Sequence, residues 1–114
     1  MTVRYYVPTT LDRLRTYAEQ GLLPDDVDRF EPEGDDEESE YAALMDAADA
    51  AAALLDGPGR RVVVVAEVDP ASTWLAMSDV VAVHCDVADR PVNADPDEDL
   101  AWFATQEIDE LLAD

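Results

Sequence analysis

Glu107, Glu67 and His84 are the residues whose type and setting could support proton-transfer chemistry in this chain. Leu100, Ala104, Ile108 and Leu111 recur at helical spacing near the C-terminus. A wheel of that helix drops Glu107 between Phe103 and Leu111, inside or at the edge of the apolar stripe. A carboxylate there has to be ion-paired, hydrogen-bonded or protonated. Arg4, Arg60, Arg61 or a Tyr hydroxyl could serve as its partner. The plainer reading is an ion pair that locks the helix onto a sheet. The functional reading is a perturbed acid in a cleft. Glu67 is a weaker case of the same kind, an acid beside apolar strand residues. His84 and Cys85 are the only members of their types. Adjacent strand residues point to opposite faces, so they do not form a nucleophile–base pair. A half-exposed sheet histidine and a small core cysteine are the simpler assignments.

Other constellations fall short of a site. Asp95, Asp97 and Asp99 alternate as in a calcium loop, but the sixth and twelfth positions hold Leu100 and Gln106 where Gly and Glu are needed. Helix capping accounts for those acids, and no metal site is expected. No Gly-rich phosphate loop is present, too few Ser and His residues exist for a serine triad, and no cofactor is called for. Trp74, Trp102 and Gln106 are candidate binding residues. Tryptophan is enriched at binding hot spots, although both rings could equally be core.

The charge bounds the partners. Twenty-eight acidic residues face seven basic ones, all Arg, giving a net charge of −21 over 114 residues. Nucleic-acid binding through a basic stripe is excluded, because that affinity comes from Lys and Arg displacing counterions on phosphates. An anionic membrane surface is disfavoured on the same ground, and no apolar run reaches the length of a membrane span. A basic or amphipathic protein partner is permitted, and a homodimer stays open. Solubility is the simpler account of the acidity. One cysteine permits no intrachain disulfide, which fits a reducing cytoplasm. The N-terminus lacks the basic and apolar regions of a signal peptide.

The elements that would position these residues follow from periodicity and caps. Val3 to Val7 reads as a strand stopped by Pro8, and Thr9 with Asp12 as the start of a helix ended by Gly21. Residues 22–34 read as an irregular acidic excursion anchored by Val27 and Phe30. Asp35 and Glu38 open a second helix with an apolar stripe of Tyr41, Leu44, Met45, Ala48, Ala52 and Leu55, stopped at Gly57-Pro58-Gly59. Arg60 to Val68 is a strand apolar on both faces and therefore central. Val80 to Val87 is the next strand. Asp95-Pro96-Asp97-Glu98 carries the signals of a helix start, with the helix running close to the C-terminus. The order β-α-α-β-β-α predicts one α+β domain over residues 1–114. Its simplest packing is a two-layer sandwich, a small mixed sheet with helices mainly on one face, whose first two strands could lie parallel through a right-handed crossover.

Four segments together carry a resemblance: Arg4-Tyr5-Tyr6-Val7-Pro8-Thr9, Glu40-Tyr41-Ala42-Ala43-Leu44, residues 60–68, and Trp102-Phe103-Ala104-Thr105-Gln106-Glu107-Ile108. They resemble an uncharacterised family of small acidic proteins from high-GC bacteria, a domain of unknown function. The resemblance brings no activity and no residue roles. From the residues, the expectation is a non-enzymatic acidic protein-binding module. The alternative is a small carboxylate-dependent enzyme or metal binder centred on Glu107.

Overall fold

A computed structural model describes the chain except for Met1, Asp25, Asp26, residues 72–74, Val92 and Asp114. Four strands form the main sheet in the order β1-β3-β5-β6: β1 (Val3–Thr9), β3 (Val62–Val68), β5 (Val80–Cys85) and β6 (Ala101–Ala104). The helices are α1 (Leu11–Gln20), α2 (Glu37–Ala53) and α3 (Ile108–Leu112). Two two-residue strands, β2 (Leu22–Leu23) and β4 (Leu75–Ala76), pair with each other. The class is α+β.

The run of valines in β3 explains the layering. Val62, Val64, Ala66 and Val68 enter one core with Leu14 and Tyr17 of α1 and Ile108 and Leu111 of α3. Val63 and Val65 enter a second core with Ala43, Ala47 and Ala48 of α2. A strand with apolar residues at both parities needs cover on both faces. The expected two-layer packing with helices mainly on one face is therefore corrected: α1 and α3 lie on one side of the sheet and α2 on the other. The expected mixed sheet with parallel first strands is corrected as well. β1 and β3 pair antiparallel, from Val3↔Val68 to Thr9↔Val62, as do the other described pairs. Two helices and the β2 segment separate these strands, so the chain re-enters the sheet from the end at which β1 finishes.

Pro8 does not stop β1. Tyr6 exchanges both backbone hydrogen bonds with Phe30 on the outer side of the strand, at 2.8 and 2.9 Å. Pro8, two residues on, also turns its nitrogen outward, so its missing N–H costs no bond to β3. The first helix starts one residue later than expected. The Thr10 hydroxyl accepts from the Arg13 N–H at 3.2 Å, while Thr9 is buried opposite Val62. Gly21 closes α1 at φ 77°, donating to the Tyr17 carbonyl at 2.7 Å. In α2 the cap is Asp36, which accepts from the Ser39 N–H. Its buried stripe is Ala43, Ala47, Ala48 and Ala51, so the expected stripe is corrected by rotation. Tyr41 and Ala52 face solvent. An alanine-rich helix gives almost no amphipathic signal from which to fix its rotation.

The largest correction lies after Ala94. Residues 95–100 form a turn and irregular chain, and the expected helix is replaced by β6, one 3₁₀ turn (Thr105–Glu107) and the short α3. The Asp95 carboxylate accepts from the Asp97 N–H at 2.9 Å, closing a local turn. Arg61 takes the carbonyls of Pro96 and Glu98 at 3.2 and 2.8 Å. A helix starting here would need those carbonyls for its own ladder. The aromatic pair Trp102-Phe103 then suits a strand.

Candidate functional site

Two successive pairings build the most exposed aromatic surface among the described residues. β5 pairs with β3 through a bulge at Val65/Ala66, which leaves Val81 without a partner and re-aims the rest of the strand. His84 pairs with Val63 on one side and with Trp102 on the other. These three therefore share the sheet face on which α2 packs. The contacts of α2 are with β1 and β3, and Trp102 is 60% exposed on β6 beyond it. The Tyr41 hydroxyl, on the first turns of α2, donates to Asp99 Oδ1 at 2.8 Å. That bond ties α2 to the chain just before β6, and Tyr41 remains 50% exposed. Gln106 is exposed at the other end of β6.

Hydrogen-bond parity settles which edge of β6 is open. The Asp86 N–H donates to the Arg61 carbonyl at 3.2 Å, so Asp86 faces β3. Its neighbour Cys85, and Val83, then direct their backbone groups at β6, toward Ala101 and Phe103. Trp102 and Ala104 point theirs away from the sheet. The Ala104 N–H is taken by Glu107 Oε1 at 2.9 Å, in agreement with this parity. No bond to the Trp102 backbone groups occurs among the described residues.

A buried ion pair holds this region in place. Arg61 is 1% exposed and Asp86 6%. Asp86 accepts from the Arg61 backbone N–H at 2.8 Å, from Nε at 3.0 Å and from Nη2 at 2.9 Å. The remaining guanidinium donors reach Pro96 and Glu98. Arg61 thus clamps the 95–100 segment onto the ends of β3 and β5. Arg90 flanks the pair, with Nε 3.9 Å from both Asp86 Oδ1 and Glu98 Oε2. A groove of about 640 Å³ runs past Val87, Arg90, Pro91, Glu98 and Leu100.

The candidate acids do not converge. Glu107 is half-buried, and its recorded bond is the backbone cap at Ala104. The wheel that placed it on a long helix is corrected with that helix, and none of Arg4, Arg60 or Arg61 forms a salt bridge with it. It lines a small cavity of about 210 Å³ with Arg60, Phe103, Glu110 and Leu111, on the α1/α3 side. Glu67 lies on the α2 side, where Arg4 Nη2 donates to it and Nη1 donates to Glu40, both at 2.8 Å. That bonding and the nearby carboxylate raise the Arg4 pKa, while burial raises that of Tyr6 beside it. His84 shares the face with Glu67 but sits four residues away along β3, about 13 Å. Burial lowers the His84 pKa, and burial pushes the Cys85 thiol up to about 11. An inert buried thiol is the chemical consequence. Trp74 lies outside the described residues. Among the described residues no cluster of three or more His, Cys, Asp or Glu could hold a metal ion, and no helix is long and apolar enough to cross a membrane.

A family model matches residues 3–112, and its description is a family of unknown function, DUF6912. The chain belongs to that family. The match contains all four segments that carried the resemblance. No curated protein and no solved structure matches this DUF6912 chain. Sequence reasoning missed Asp86, and it named Arg61, Tyr41 and Asp99 without finding the Arg61–Asp86 pair or the Tyr41–Asp99 bond. The signal for the Arg61–Asp86 pair was register. Arg61 opens the central strand and Asp86 follows Cys85, so pairing Val62 with Cys85 puts the opposite charges side by side.

Proposed function

We propose that the protein is a non-enzymatic acidic binding module that docks a basic or amphipathic protein partner on the β5–β6 face around Trp102. The observation that carries this reading is a large aromatic ring, 60% exposed, held on a paired strand rather than a loop. An exposed tryptophan on ordered backbone offers contact area at low entropic cost. Its surroundings supply the sign. Residues 95–99, which lead into β6, hold four exposed acidic side chains and no basic one. A cationic side chain over an indole face gains from the ring quadrupole as well as from the acids. Tyr41 and His84 extend the surface, and Gln106 borders it. This reading also takes the chain to act in the cytoplasm, where basic protein segments are abundant.

The enzyme or metal-binding alternative centred on Glu107 has less to support it. The sheet separates Glu107 from Glu67 and His84, and the Glu107 carboxylate is committed to a backbone N–H. The test is calorimetric titration with a cationic peptide and its charge-reversed counterpart, on wild type and Trp102→Ala. Wild type should bind only the cationic peptide, and the variant should bind it at least about tenfold more weakly, as loss of a hot-spot aromatic does. Equal binding by both proteins would refute the docking site.

A further inference from the structure

We infer that the partner is an extended, Arg- or Lys-bearing segment that adds to the sheet as a fifth strand along the free edge of β6. This inference rests on the reading above and specifies how the partner is held. The parity argument leaves the N–H and C=O of Trp102 directed outward with no bond among the described residues. An unpaired strand edge is a template for another strand. The opposite edge of the sheet is already occupied, since Phe30 bonds both backbone groups of Tyr6 on β1. β6 is short, at four residues, but it lacks the other usual protections. It has no Pro, no charged side chain and no bulge across Ala101–Ala104.

The chemistry of the occupant follows from charge. The segment that leads into β6 carries Asp97, Glu98 and Asp99, all exposed. A second copy of this chain would bring another charge of −21 to the same place, which argues against self-pairing. A cationic strand meets complementary charge where it passes that segment. Alternate side chains of an added strand fall on the face that holds Trp102, so one Arg or Lys of the partner stacks on the indole while its backbone bonds Trp102. Glu107 limits the register. By holding the Ala104 N–H, it ends the available edge at that residue.

The experiment uses a hexapeptide of alternating Arg and Val and two forms of it N-methylated at alternate residues, one set per form. N-methylation removes backbone donors while keeping side chains and charge. If the peptide adds as a strand, one methylated form should bind at least about tenfold more weakly and the other near-normally, because only one set faces β6. The Trp102 amide should also exchange at least about tenfold more slowly when the unmethylated peptide is saturating. Equal affinity for all three peptides, with Trp102→Ala still weakening them, would overturn strand addition and leave the docking face standing. Binding of none of the peptides would overturn both. A concentration-dependent dimer with a protected Trp102 amide would assign the edge to a second copy and overturn the basic occupant.

Discussion

Removing the Asp86 carboxylate tests the clamp that places β6. Asp86→Ala strands a guanidinium that is 1% exposed, deleting two of its hydrogen bonds and a third from the Arg61 backbone N–H. Breaking a buried pair by removing one partner costs about 3–5 kcal/mol. Against a domain stability of about 5–15 kcal/mol this is roughly a fifth or more of the total. The double variant Arg61→Met/Asp86→Leu removes both charges and fills the space. It should recover most of the loss, since apolar replacement of a buried pair is often neutral. It cannot restore the donors to Pro96 and Glu98, and each orphaned carbonyl leaves about 1 kcal/mol unrecovered. The double variant should therefore lie between Asp86→Ala and wild type, with faster amide exchange in residues 101–104. Urea unfolding at fixed ionic strength gives the ranking. An Asp86→Ala protein within about 1 kcal/mol of wild type would refute the clamp, because a buried unpaired guanidinium cannot be that cheap.

Carboxylate self-repulsion should make the melting temperature rise with NaCl from about 0.01 to 1 M, as the Debye length falls from roughly 30 to 3 Å; a flat curve in a thermal scan would contradict it. His84 is held below its ordinary pKa by burial, so the unfolded chain takes up the proton first and stability falls as pH drops below about 6.5. His84→Gln should flatten that part of the denaturation profile, and an unchanged slope would show that the imidazole titrates alike in both states. Glu107→Ala loses one backbone cap and should cost about 1 kcal/mol, with Glu107→Gln costing less; a loss of about 4 kcal/mol in urea unfolding would point instead to a buried ion pair.

The parts of this fold legible in the sequence are those governed by local rules. The β3 valines announced a central strand by their parity. Gly21 ended α1, and the acids before Tyr41 opened α2. What stayed illegible depended on contacts distant in sequence. Asp95-Pro96-Asp97-Glu98 has every local sign of a helix start, yet Arg61, more than thirty residues earlier, takes two of its carbonyls. Local propensity lost to a charged group that needed acceptors for its buried donors. The same error moved Glu107, since a wheel drawn through Trp102 and Phe103 treats a strand as a helix. The candidate surface was half visible. Trp102 was singled out by type, but its pairing with His84 and the open edge required the register.

The arginines explain why the outer field is so one-sided. Arg4 binds Glu40 and Glu67, Arg15 binds Asp12, Arg60 approaches Asp89, Arg61 binds Asp86, and Arg90 lies by Asp86 and Glu98. Arg29 stacks over the Tyr5 ring at 5.5 Å. The positive charge is thus largely engaged in holding segments together, and the excess acid is left facing solvent. The same carboxylates then act in opposite directions on two measurable quantities. Salt screens their mutual repulsion, which favours the folded chain. Salt also screens their attraction for a cationic strand, which disfavours the complex. Stability and affinity must therefore move apart as NaCl rises. An affinity that held constant across that range would assign the binding energy to the Trp102 ring and the β6 backbone, and would leave the acidity to solubility alone.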